Sequence, residues 1–140
     1  MSPTLTLSRE KILNLIALVE AYARRHEELL PRREMGIEFA EYVSSGDFQR
    51  EHEIEAGMPE RNAFLGALGS LSEVEMRELQ GVMYLGRGDF NADVFWKNTN
   101  GLPMETDAAI DVSHVESKWP ALGQYLRDGL SQAEEAGLVT

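Results

Sequence analysis

Apolar residues in this chain recur at intervals of three and four, and no stretch alternates apolar and polar residues for the length of a strand. That periodicity confines the fold to helices. It is clearest near the N-terminus, where Ile12, Leu15, Ile16, Val19, Tyr22 and Ala23 share one side of a helix predicted from about Ser8 to the end of the 20s. Ser8 suits the N-cap, Glu10 falls in the first turn, and Arg24-Arg25-His26 lie near the C-terminal end, so charge follows the helix dipole. Leu13 and Leu18 flank the stripe and widen it. A face that broad needs several neighbouring helices or a partner chain.

The capping signals downstream repeat the message. Glu60 to Leu68 reads as a helix with Phe64, Leu65 and Leu68 apolar, ended by Gly69. Ser72 with Glu75 forms a capping box, Leu71 with Met76 a hydrophobic staple, and Met76, Leu79, Val82 and Met83 an inward face. Gly86 stands where a left-handed cap belongs, with Gly88 keeping the turn open. Asn91 caps the next helix, stapled by Phe90 and Phe95, and Asn98 to Pro103 reads as a loop. A weaker helical pattern covers about Asp107 to Lys118. Pro120 then opens a last helix with Leu122, Tyr125, Leu126 and Leu130 inward, in which Gly123 suggests close approach of another backbone.

Between the first and second of these helices the pattern weakens. Met35 to Val43 fits a short helix, Ser44-Ser45-Gly46-Asp47 a turn, and residues 50–55 a charged run on a solvated face or linker. The expected fold is therefore all-α: a small irregular bundle of about five or six helices, with a poorly ordered acidic segment near residues 44–58. At 140 residues and 43% apolar composition, residues 1–140 make a single domain, with 32–59 a variable acidic linker or insertion.

Composition excludes several chemistries. The chain has no cysteine, which removes thiolate metal sites, iron–sulfur clusters and cysteine nucleophiles. Its longest clean apolar run, Leu15 to Val19, is too short for a membrane span, and the N-terminus lacks the basic start and apolar stretch of a secretory signal. Those features make the cytoplasm the expected location and no membrane contact the expectation. A net charge of -11 disfavours direct nucleic-acid binding. The acidity is densest over residues 35–60, with seven acidic side chains and one basic. It serves either solvation or, as an alternative, mimicry of a nucleic acid by residues 38–60.

Three stretches also carry a family resemblance. Leu7-Ser8-Arg9-Glu10-Lys11-Ile12 opens the first helix, Leu71-Ser72-Glu73 to Tyr84-Leu85-Gly86-Arg87-Gly88-Asp89-Phe90 surrounds the helix capped by Ser72, and Pro120-Ala121-Leu122-Gly123-Gln124-Tyr125-Leu126-Arg127-Asp128-Gly129-Leu130 forms the last. Together they resemble the bacterial domain-of-unknown-function family 3775, marked by a W-L-G-R-G-D type motif and a P-x-L-G-x-Y-L-x-x-G-L helix. Here Tyr84 takes the place of the motif's tryptophan and Arg127 that of an acid. The resemblance implies a small helical bacterial protein and confers no activity.

The segment best suited to chemistry is Gly86-Arg87-Gly88-Asp89-Phe90-Asn91. Two glycines free the backbone, and the amides after Asn91 open a helix N-terminus that Arg87 can complete as an anion site. Candidate ligand-binding residues are Arg87, Asp89, Asn91 and Trp96. The plainer reading gives Gly86 and Asn91 to capping their helices and pairs Arg87 with Asp89 or another carboxylate. His26, His52 and His114 have no metal-ligand spacing, and Glu73, Glu75 and Glu78 share one helix without a Glu-x-x-His partner. No catalytic residue, metal site or cofactor is expected. The leading expectation is a non-catalytic interaction or scaffold protein, dimerising through Leu13, Leu18 and Tyr22 of the first helix or meeting another protein. Its competitors are a small anionic-ligand binder or enzyme using the Arg87–Asp89 turn, and the acidic mimic.

Overall fold

The computed structural model describes residues 3–29, 47–102 and 108–139. Among these residues the protein is all-α. It has α1 (Arg9–Leu29), α2 (Asp47–Ala56), α3 (Pro59–Gly69), α4 (Glu73–Arg87), α5 (Phe95–Asn100), α6 (Ala108–Glu116) and α7 (Trp119–Glu135), with a single 3-10 turn, Ala92–Val94, ahead of α5. That is seven α-helices against the five or six expected. The charged run over 50–55, read as a solvated face or linker, is helical within α2, where Arg50, His52 and Glu53 are exposed and Ile54 makes an apolar contact with the core, followed by the fully buried Met58. Tertiary contact thus overrides a weak local pattern. Asn98 to Asn100, read as loop, complete α5. The helix expected over 35–43 and residues 44–46 lie outside the described residues.

The strongest sequence signals act as their chemistry requires. The Ser8 hydroxyl accepts the Lys11 amide at 3.1 Å, and Ile12, Leu15, Ile16, Val19 and Tyr22 of α1 are buried. Each such aliphatic burial contributes about 1.5–3 kcal/mol. At the start of α4, the Glu75 amide donates to Ser72 Oγ at 3.1 Å and the Ser72 amide to Glu75 Oε1 at 3.0 Å, closing the capping box. Phe90 and Phe95 meet edge to face, 6.2 Å between centroids. Tyr22 was expected on an intermolecular face with Leu13 and Leu18, but at 1% exposure it belongs to the chain's own core; the two leucines pack half-buried beside it.

Long α4 and α7 form the most extensive helix pair, and α1 packs against α3 and α7. Two glycines set how closely α4 and α7 approach. A Cβ on Gly86 would land on the Tyr125 carbonyl, and one on Gly129 would land on the Val82 carbonyl. Gly86 is therefore a helical contact residue, and the left-handed cap expected there belongs to Gly88, at φ 93°. The Gly88 amide donates to Leu85 O at 3.2 Å and the Asp89 amide to Tyr84 O at 3.0 Å, the paired hydrogen bonds of a Schellman turn. Gly123, expected to meet another backbone, faces the Glu20 side chain instead.

An extended N-terminal segment closes the bundle. The Leu5 amide donates to Leu138 O at 2.8 Å, and Leu7 is buried. Among the described residues, no helix is long and apolar enough to cross a membrane.

Candidate functional site

The Arg87–Asp89 turn follows directly from how α4 ends. Once Gly88 adopts its left-handed conformation, the chain reverses and Asp89 returns towards Arg87. Arg87 Nε donates to Asp89 Oδ2 at 2.9 Å, and its Nη2 lies 2.7 Å from the same oxygen. The guanidinium also sits 4.9 Å above the Tyr84 ring. Hydrogen bonding to Asp89 strengthens the guanidinium's hold on its proton. Its charge is therefore compensated inside the chain, and an incoming anion has to compete with a carboxylate already in place.

The other two candidates are directed elsewhere. Asn91 Oδ1 accepts the Asp93 amide at 3.1 Å and so caps the short 3-10 turn. Trp96 Nε1 donates to the Pro3 carbonyl at 3.1 Å, tying α5 to the N-terminal segment. Of the four residues singled out, only Arg87 and Asp89 are hydrogen-bonded to each other. The segment thus holds a cap at Gly88, a cap at Asn91 and a local Arg87–Asp89 ion pair, while Gly86, read as the cap, serves the contact with α7.

The carboxylates of α4 take three separate roles. Glu73 is solvent-facing, with Arg77 at 4.0 Å. Glu75 closes the capping box and accepts Lys11 Nζ at 2.6 Å; that Lys11 bond, with the Ser72 amide, holds its carboxyl below the usual range. Glu78, which local sequence leaves in solvent, is only 4% exposed. Its carboxylate accepts the Thr6 amide at 3.1 Å and the Leu7 amide at 2.8 Å, pinning the N-terminal segment onto α4. No local pattern announces that role, because the partners are backbone amides some seventy residues away.

A second polar locus, which sequence spacing did not reveal, gathers where α1, α2, α3, α6 and α7 meet. His26 Nε2 lies 2.8 Å from Glu55 Oε1, and its ring packs at a tilt against that of Trp119, 4.3 Å between centroids. One turn earlier, the Tyr22 hydroxyl donates to Glu116 Oε1 at 3.2 Å, and Arg61 Nε donates to the same oxygen at 3.2 Å. Burial, reinforced by the Glu116 and Glu55 charges, pushes the Tyr22 hydroxyl well above its ordinary range. A tyrosine so enclosed keeps its proton and serves as a fastener between helices. Glu60 completes the surroundings, 3.8 Å from Arg25. Glu55 and Glu60, two of the carboxylates a nucleic-acid mimic would display, thus face His26 and Arg25 of α1.

His114 Nε2 hydrogen-bonds the Tyr84 hydroxyl at 3.0 Å, which links α6 to α4. Among the described residues, no three His, Asp or Glu side chains group closely enough to hold a metal ion.

The outer side of α1 differs from all of these places. Leu13, Leu18 and Ala21 are half-buried there, and Ala17 is exposed between them. Glu10, Asn14 and Arg24 are also exposed on this side. Arg127 with Glu20 borders it through a two-pronged pair, Nε to Oε2 at 2.9 Å and Nη2 to Oε1 at 2.6 Å.

No family model matches the chain, and no curated protein or solved structure matches it.

Proposed function

We propose that this chain is a non-catalytic interaction protein that self-associates through the outward face of α1. The observation that carries the reading is the character of that face: Leu13 and Leu18 pack on the core but are only partly buried, and Ala17 is open to solvent between them. Apolar residues that the domain's own core leaves partly uncovered, on a rigid helix, are what a second helix covers. The polar groups best placed for chemistry are meanwhile engaged in holding helices and caps together, as at Arg87–Asp89, Glu78 and Tyr22–Glu116.

The cytoplasm as location and membership of family 3775 belong to the same proposal. In support of the latter, the resembling stretches fall on α1, α4 and α7 and the loops beside them, which supply much of the core.

The test is light scattering of the wild-type chain and of Ala17→Glu across a concentration series. Alanine and glutamate both favour a helix and the site is exposed, so the substitution leaves the monomer folded. A wild-type dimer that Ala17→Glu converts to monomer is the expected result. A wild-type monomer at the highest concentrations reached ends the proposal.

A further inference from the structure

Self-association through α1 leaves open how two copies face one another, and the charges on that helix choose between the arrangements. Along its outer side run Glu10, Leu13, Asn14, Ala17, Leu18, Ala21 and Arg24. Glu10 and Arg24, at opposite ends, are both exposed; Arg24 also lies close enough to Glu20, one turn earlier, for its charge to help hold that carboxyl below the usual range. Their fourteen-residue separation places them about 21 Å apart on one face.

Two parallel copies would set Glu10 against the partner's Glu10 and Arg24 against the partner's Arg24, which is repulsive at both ends. Two antiparallel copies related by a twofold axis at Ala17 place each Glu10 beside the partner's Arg24. The same operation sets Leu13 against the partner's Ala21, a large residue against a small one, and Ala17 against the partner's Ala17. Methyl groups alone then separate the helices at the axis, which permits spacing at the close end of the usual 8–10 Å, about 8 Å. Sliding the axis half a turn, to lie between Ala17 and Ala21, would bring Glu10 to the partner's Glu28 and lose the complementarity. An isologous contact requires a self-complementary patch, and this register supplies one.

We infer that a second copy of this chain occupies the outer face of α1 antiparallel to the first, on a twofold axis through Ala17. The inference rests on the self-association reading above and specifies its geometry.

Because the chain has no cysteine, single cysteines can map the arrangement. Ala17→Cys, Glu10→Cys and Arg24→Cys are each treated with a short bismaleimide, alone and in pairs, and light scattering is recorded alongside. Ala17→Cys crosslinks to itself. Glu10→Cys and Arg24→Cys do not crosslink alone, because like positions sit about 21 Å apart, but crosslink when mixed. Self-crosslinking of Glu10→Cys indicates a parallel pair and overturns the inference. A dimer by light scattering in which Ala17→Cys fails to crosslink also overturns it while leaving self-association standing. A monomer throughout overturns both.

Charge exchange supplies a second readout. Glu10→Lys and Arg24→Glu each weaken the dimer roughly tenfold, and a one-to-one mixture of the two restores the wild-type dissociation constant. No weakening by either variant overturns the inference.

Discussion

The seam between α4 and α7 and the polar end where α1 meets α2, α3 and α6 hold their helices together by opposite means. At the seam, Gly86 and Gly129 remove side chains so that each helix rests against a carbonyl of the other. At the polar end, Tyr22, His26, Glu55, Arg61 and Glu116 reach across the gaps with hydrogen bonds and ring contacts. The first contact is governed by volume and tolerates almost no change in size. The second is governed by polarity and, at Tyr22, by a hydroxyl that must keep its proton. A helical domain of this size therefore combines one joint that is sterically unforgiving with another that is chemically adjustable.

The largest test of that contrast is Gly86→Ala. A methyl group there cannot coexist with the Tyr125 carbonyl, so the helices must separate. The expected loss exceeds about 3 kcal/mol, against a helix-propensity gain of about 1 kcal/mol, measured by urea denaturation. A loss below about 1 kcal/mol would show that the seam is soft and erase the distinction.

Tyr22→Phe probes the polar end, where the expected loss is about 1 kcal/mol at neutral pH. Its pH dependence sharpens the point. The folded-state pKa of Tyr22 is raised, so its contribution is complete below the unfolded value of about 10 and falls as pH rises beyond it. Above that pH the unfolded tyrosine ionises while the buried one stays neutral. The wild type should lose stability on the alkaline side faster than Tyr22→Phe, and parallel curves would remove Tyr22 from the account.

Gly66→Ala reverses the sign of the first experiment. Gly66 lies within α3 with open space where a Cβ would go, so the substitution should raise stability by about 0.5–1 kcal/mol. The two helical glycines thus separate position from composition. Arg87→Ala is the smallest expected effect, under about 0.5 kcal/mol in thermal or chemical denaturation, because its pair with Asp89 is surface-exposed. A loss above 2 kcal/mol would make the turn a structural joint comparable to the seam.

What could be read from the sequence was local. Ser72 and Glu75 announce their capping box because both bonds close within four residues, and Phe90 and Phe95 announce their staple for the same reason. Gly86 and Gly88 look equivalent along the chain; only the approach of Tyr125 on a distant helix decides which one caps. Glu78 and the His26–Glu55 contact were hidden for the same cause, since their partners are fixed by tertiary packing. At the proposed site, the breadth of the α1 face was legible from Leu13 and Leu18. The inward commitment of Tyr22 became visible only with Phe64 and Trp119 around it, at ring separations of 6.4 and 5.1 Å.

The hydrogen bond from Leu5 to Leu138 makes residues at opposite ends of the described chain spatial neighbours. Grafted between those two points into a surface loop of a host protein, this bundle would ask the host backbone to part by about 5 Å, the spacing of two paired strands. The same adjacency suits circular permutation: a short bridge can join the two segments outside residues 3 and 139, which keeps the Pro3–Trp96 bond, and new ends can be opened in the turn at Gly101–Leu102, outside the described helices.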